Sequence, residues 1–216
     1  MGHMYVPGQS CTVDEALDAT CDALRKGGVA VFPTDTVYGI GLCVSAYPDG
    51  PERLFEIKKR DHAKKIPLLV PSVDALGEYG RDVGMQTYAL ARAFWPGGMT
   101  LIVKASDKVP AAYQGDNGTV ALRVPGPSIA LDILSRLGEA MAVTSANTSG
   151  LPAPADGMQI EEEIARQVDA VICAGATRCG EASTIVDCTQ ETPCIVRVGA
   201  VPPEEILPIW KTALYI

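Results

Sequence analysis

No apolar run in this 216-residue chain approaches the ~20 residues that span a bilayer. The N-terminus lacks the basic and apolar regions of a secretory leader, so secretion is not expected. Positive charge is also scarce. Eighteen Lys and Arg against 26 Asp and Glu give a net charge of −8, which argues against a general nucleic-acid coat but leaves room for a local basic pocket. There is no G-x-x-x-x-G-K-[ST] loop and no G-x-G-x-x-G after a strand, so neither common phosphate cradle applies. Internal repeats, low-complexity tracts and linkers are missing too. The expected organisation is a cloning scar over residues 1–3 and one domain over residues 4–216.

The seven cysteines contain no C-x-x-C pair. Cys173, Cys179, Cys188 and Cys194 are separated by five, eight and five residues, wider than the pairs that usually hold zinc. Buried, reduced thiols in a cytoplasmic protein are the expectation.

What is present is organised around residues 29–42, VAVFPTDTVYGIGL. Val29 to Phe32 read as a buried strand, which Pro33 is expected to end because it lacks an N–H. Thr34, Asp35, Thr36 and Tyr38 follow. Gly39 and Gly41 then come where a backbone approaches a ligand or takes positive φ. The plainer alternative is a strand–turn–strand.

Elsewhere strands and helices alternate. Thr12 and Glu15 form a capping box, with Val13, Ala16, Leu17 and Leu24 as the inward stripe of that helix. Further helices are expected from Pro51, from Ser72, over Asp82–Phe94, from Ser128 to Leu137, over Gln159–Gln167 and over Pro203–Leu207. Strands are expected at Ile66–Val70, Met99–Val103, Thr119–Val124, Met141–Val143, Asp169–Cys173, Ser183–Cys188 and Cys194–Val198. Asp116-Asn117-Gly118 marks a turn, and Trp95-Pro96-Gly97 a packing corner. The predicted fold is α/β: a twisted mixed parallel/antiparallel sheet with flanking helices and a concave basic cleft.

Hydroxyls and cations gather at the strand ends: Thr34 to Tyr38, Thr100, Arg123, Thr144 to Ser149, Ser183-Thr184 and Arg197. Lys58 and Arg60 add charge from the densest basic run, of which Lys59, Lys64 and Lys65 are left mostly to solvent. Such a cleft, with no histidine beyond His62 and no paired carboxylates, suits a polyanion such as a nucleoside triphosphate. For Arg123 an ordinary structural ion pair is the competing reading. For Ser145 and Asn147 it is backbone capping in a turn.

Seven motifs occur in order: FPTDTVYGIG at 32–41, K-x-R at 58–60, WPGGMTLIV at 95–103, ALRVPGP at 121–127, TSANTSG at 144–150, STIVD at 183–187 and VRVGA at 196–200. Together they resemble the YrdC-like family of threonylcarbamoyl-AMP synthases in its single-domain form. The resemblance implies a reaction of L-threonine, bicarbonate and Mg²⁺-bound ATP to threonylcarbamoyl-adenylate and pyrophosphate. A tRNA threonylcarbamoyl transferase complex would then modify adenosine 37 of tRNA, with at most a weak tRNA contact by this chain and no membrane. It further implies that Lys58 and Arg60 are catalytic and, with Thr100, Ser145, Asn147 and Arg197, bind ATP. Thr36, Arg123 and Ser183 are implied for threonine. Mg²⁺ would be carried by ATP, with no protein metal site.

The chain departs from the family's pattern at Asp61, at Lys65 and at Pro71, where some members carry histidine. Two other readings stand beside this one. The first is an RNA-binding module without catalysis. The second is a carbamoyl-adenylate-forming enzyme, like the YrdC-like domain of hydrogenase maturation proteins.

Overall fold

A computed structural model describes residues 3–5, 12–62, 65–115 and 117–212. Lys64 and Asp116 lie outside the described residues. One ten-stranded sheet organises the chain, in the order β1-β8-β2-β3-β7-β4-β6-β5-β9-β10. Its strands are β1 His3–Tyr5, β2 Ala30–Pro33, β3 Tyr38–Cys43, β4 Leu68–Leu69, β5 Met99–Lys104, β6 Thr119–Arg123, β7 Met141–Ser145, β8 Ala170–Ile172, β9 Thr184–Asp187 and β10 Cys194–Arg197. The pairs β1–β8, β2–β8, β4–β6 and β5–β9 are parallel, and the others antiparallel. The α/β class and the mixed sheet are thus as expected. His3, assigned from the sequence to a scar, begins β1.

Both faces of β2, β3, β4 and β8 are covered, which is why these strands are continuous apolar runs, whereas β6 and β9 alternate in burial and β10 is largely exposed. Side chains along a strand point to opposite faces. Ala30 and Phe32 join one core cluster, with Leu17, Cys21 and Leu24 of α1 (Val13–Arg25) and Ala130, Ile133 and Leu134 of α5 (Ile129–Leu137). Val31, Tyr38, Ile40 and Leu42 join the other. That face carries α2 (Glu52–Lys58), α3 (Ala75–Tyr79), α4 (Met85–Phe94), α6 (Glu162–Gln167) and α7 (Pro203–Thr212). Gly39 and Gly41 do not take positive φ. Their missing side chains make room for Val143 of β7, whose methyls would lie 2.8 and 2.7 Å from an added Cβ.

Several boundaries moved. Pro33 does not end the ladder; it pairs with Tyr38 at the mouth of a β2–β3 hairpin, where its missing N–H is tolerated next to the turn. The Thr12–Glu15 capping box forms, yet Val13 is exposed rather than in the stripe. Ser72 precedes α3 without capping it. Asp82 takes φ 53°, so α4 starts only at Met85. The acidic segment breaks into a 3₁₀ turn at Gly157–Gln159 and α6. The last helix continues past Leu207 through Pro208 to Thr212. Among the described residues no helix is long and apolar enough to cross a membrane.

Candidate active site

The hairpin turn at 34–37 is built by one hydroxyl. Thr34 Oγ1 donates to the Val37 carbonyl (2.7 Å) and accepts from the backbone N–H groups of Thr36 (3.1 Å) and Val37 (3.2 Å). Its single proton is committed to Val37, so Thr36 is the donor in the 2.9 Å contact between the two threonine hydroxyls. Thr36 Oγ1 therefore faces Arg123 with its lone pairs, and Arg123 Nη1 donates to it at 3.0 Å.

That contact fixes the shape of the sheet. Three strands separate β2 from β6, and four strand spacings would amount to roughly 19 Å on a flat sheet. The sheet must curl, and the 34–37 turn must lean across it. Arg123 is buried. Its Nη2 pairs with Asp35 Oδ1 at 2.6 Å, and its Nε donates to the Gly97 carbonyl at 2.8 Å. Burial pulls its pKa down, and Asp35 pushes it back up. The structural ion pair weighed as a competing reading is therefore real, and the same guanidinium still lines the pocket. The Trp95-Pro96-Gly97 corner holds it from behind, with Trp95 buried and its Nε1 bonded to the Met99 carbonyl at 2.7 Å.

The pocket has a volume of about 220 Å³. It gathers Thr34, Thr36 and Tyr38 from the hairpin, Ser145 from β7, Thr100, Arg123 and Ser183 from the other half of the sheet, and Arg60, Lys65 and Arg197 from its mouth. No carboxylate lines it among the described residues. Thr100 Oγ1 and Ser183 Oγ lie 2.8 Å apart. Arg197 donates from Nε (3.0 Å) and Nη2 (2.7 Å) to the Ser183 carbonyl, and from Nη2 to its hydroxyl (3.1 Å). Burial, and then the charges of Arg123 and Arg60, hold the Arg197 pKa below its ordinary value. These are crowded like charges, an arrangement that an anion relieves.

The K-x-R residues diverge because Lys59 is left-handed, at φ 51°. Lys59 points outward to Glu163 at 3.0 Å. Arg60 reaches the pocket, and its Nη2 donates to the Lys65 carbonyl at 3.2 Å. Lys58 turns inward and is 1% exposed. Its Nζ donates to the carbonyls of Ser145 and Asn147, and its own carbonyl accepts from Ser149 N at 2.9 Å. Burial, then the Arg60 charge, lowers its pKa to about 8.

Asn147 is also buried. Its Nδ2 donates to the Thr148 and Leu151 carbonyls, while Oδ1 has no partner. Lys58 and Asn147 thus lie behind the pocket wall, and neither lines it. Lys65 does, which solvent assignment had missed. Glu161 was also missed. It accepts from both Thr148 N (2.6 Å) and Thr148 Oγ1 (2.7 Å), so the TSANTSG turn is gripped from two sides. No sequence signal marked it, since it is one acid among several in the 161–163 run.

Cys21 and Cys43 are buried thiols, and burial raises the Cys43 pKa to about 12. Cys179 and Cys194 are exposed, contrary to the expectation of burial. Among the described residues no group of three or more His, Cys, Asp or Glu could hold a metal ion.

The model of the Sua5/YciO/YrdC family, described as "Telomere recombination", matches residues 22–199. The chain belongs to this family. Threonylcarbamoyl-AMP synthase of Pyrococcus abyssi is 34% identical over 183 residues, covering 85% of this chain and 54% of that protein. The chain thus spans about half the length of that relative. The crystal structure of P. abyssi Sua5 complexed with L-threonine superposes with a TM-score of 0.86 at 30% identity, over 96% of this chain and 60% of that one. Escherichia coli YciO superposes with a TM-score of 0.82 at 28% identity, over 94% of this chain and 98% of that one.

Proposed function

We propose that the chain is an L-threonylcarbamoyladenylate synthase. One observation carries this reading. In a protein of net charge −8, the pocket between the strand ends collects Arg60, Lys65, Arg123 and Arg197, with no lining carboxylate among the described residues. Such a pocket is built for anionic oxygens. A carboxylate, a bicarbonate and a triphosphate are the anions that this reaction brings together. The P. abyssi relative, named for this reaction and solved with L-threonine, supports the same reading.

In this proposal the threonine amine and bicarbonate combine, with loss of water, to a carbamate. A carbamate oxygen attacks the α-phosphorus of ATP, and pyrophosphate leaves. Arg123, steadied by Thr36, receives the threonine carboxylate, with Ser183 close by. Arg60 and Arg197 stabilise phosphate charge, with Thr100 and Ser145 offering hydroxyls. Lys58 contributes positive charge from behind the wall and, with Asn147, holds the turn that presents Ser145. Proximity suffices for the carbamate, so no enzymic base is required. Mg²⁺ would arrive on the ATP phosphates, whose charge it offsets. The product would pass to a tRNA threonylcarbamoyl transferase complex in the cytoplasm.

The test is pyrophosphate release from Mg-ATP, with mass-spectrometric detection of the adenylate. Release that requires both L-threonine and bicarbonate is expected. Release with neither would indicate another adenylating or hydrolytic activity. Absence of both release and ATP binding would favour the RNA-binding reading.

A further inference from the structure

Asp35 stands beside the pocket without lining it. We propose that Asp35 is the positioning residue that aims Arg123 at the amino-acid carboxylate, and that Gly126 is what makes room for it. This rests on the threonine reading of the pocket given above.

A guanidinium has five N–H donors. Three are taken by protein: Nε by Gly97 O, Nη1 by Thr36 Oγ1 and Nη2 by Asp35 Oδ1. That leaves two, one on each terminal nitrogen, the number that a carboxylate takes in a bidentate pair. Which two remain is decided by the three acceptors. Thr36 and Gly97 are neutral and hold the group at 3.0 and 2.8 Å; Asp35 is charged and holds it at 2.6 Å. The carboxylate is therefore the strongest of the three constraints.

The carboxylate is itself placed by backbone. The Asp35 carbonyl accepts from Cys179 N at 3.1 Å, which fixes its main chain. On the other side the 126 backbone passes so close that a Cβ there would sit 2.9 Å from Asp35 Oδ2 and 3.0 Å from its Cβ and Cγ. Only glycine fits. The Asp35 side chain is 13% exposed and that of Arg123 7%, so solvent does not take its place. With Asp35 paired to it, Arg123 offers the ligand directed N–H groups with little net charge. Arg60 and Arg197 bring positive charge to the phosphate side of the pocket. The pocket is thereby divided into a directional half and an electrostatic half.

Two variants separate the requirements. Asp35→Asn keeps the shape and removes the charge; Gly126→Ala keeps the charge and displaces the carboxylate. Calorimetric titration of the full chain with L-threonine, and separately with Mg-ATP, is read beside the melting temperature. Each variant is expected to weaken threonine binding by roughly tenfold or more, with ATP affinity within about twofold of wild type. Removing the partner of a buried charge is costly, so if Asp35→Asn does not fold, Gly126→Ala alone carries the measurement. Unchanged threonine affinity in a folded variant would overturn the proposal. So would equal weakening of both ligands with a lowered melting temperature. Wild-type protein that binds no threonine would overturn the proposed function itself, and this inference with it.

Discussion

Lys58 Nζ donates to the Asn147 carbonyl at 2.5 Å, across 89 residues of sequence. The bond makes one object of two motifs that the sequence presents separately, the K-x-R and the S-x-N. An ammonium among backbone carbonyls is solvated by their dipoles rather than by a counter-ion. Its charge remains costly there, which is why its pKa falls from the ordinary 10.5 to about 8. The neutral amine keeps two N–H donors, so losing the proton removes the charge while both carbonyl bonds can persist.

This separates the charge of Lys58 from its pinning role. If the charge helps to hold phosphate, kcat/KM for ATP in wild type falls above pH 8, since that ratio reports the free enzyme. Lys58→Met, starting from a much lower activity, shows no such limb. A wild-type profile flat to pH 9.5 would remove the charge from the mechanism and leave Lys58 as a pin.

The same titration bears on stability. Between about pH 8 and 10.5 the unfolded chain holds a proton on Lys58 that the native protein has released. Stability therefore rises with pH across that window, and the full cost of the buried charge is present below it. Relative to Lys58→Met, wild type should gain up to roughly 3 kcal/mol between pH 7 and 10.5. Urea denaturation of both proteins at several pH values gives the difference. Curves that stay parallel would show that Lys58 titrates normally.

Much of this site was readable from the chain because short polar residues follow apolar runs. Thr34 to Tyr38 and Thr144 to Ser149 were placed at strand ends on that ground, and the structure puts them at the ends of β2 and β7, with Tyr38 opening β3. What was not readable depended on distant neighbours. The carbonyls that hold Lys58 belong to no side chain, so no motif names them. Asp35 is one letter of FPTDTVYGIG until β6 comes back across the sheet to meet it. Gly39 does line the pocket, as a glycine allowing close ligand approach would, and Gly41 does not; the bulk of Val143, which leaves no room for a Cβ at either, is the constraint the sequence does not show. Cys179 was expected to be buried, and it is instead exposed in the loop that crosses the hairpin.

The division of the pocket predicts opposite kinetic signatures for two arginines. Arg60→Ala should raise the ATP requirement roughly 10- to 100-fold, the loss of a charge-assisted contact, with little effect on threonine. For Arg123 the better variant is Lys, which keeps a charge for Asp35 but loses the fork. It should raise the threonine KM more than the ATP KM. Steady-state kinetics with each substrate varied in turn decides the matter, and the reverse pattern would reassign both residues.

Tyr38 ties the 174–180 loop to the hairpin. Its Oη accepts from Ala174 N at 3.0 Å and donates to the Gly175 carbonyl at 2.6 Å. The loop then lays Cys179 N on the Asp35 carbonyl and Gly180 N on the Thr36 carbonyl, at 3.1 and 2.9 Å. Tyr38→Phe deletes both anchors at once. Ala174 and Gly175 are exposed, so water can replace the lost partners, and the cost should lie near the low end of the range for an unmade bond, about 1 kcal/mol. The melting temperature should fall by only a few degrees. The local effect should be larger: faster amide exchange at Ala174, Cys179 and Gly180, and faster alkylation of the Cys179 thiol, while Cys21 and Cys43 stay protected. Unchanged exchange in the loop would mean that its backbone bonds to residues 35 and 36 hold it without the tyrosine, and that Tyr38 serves the pocket only as part of its wall.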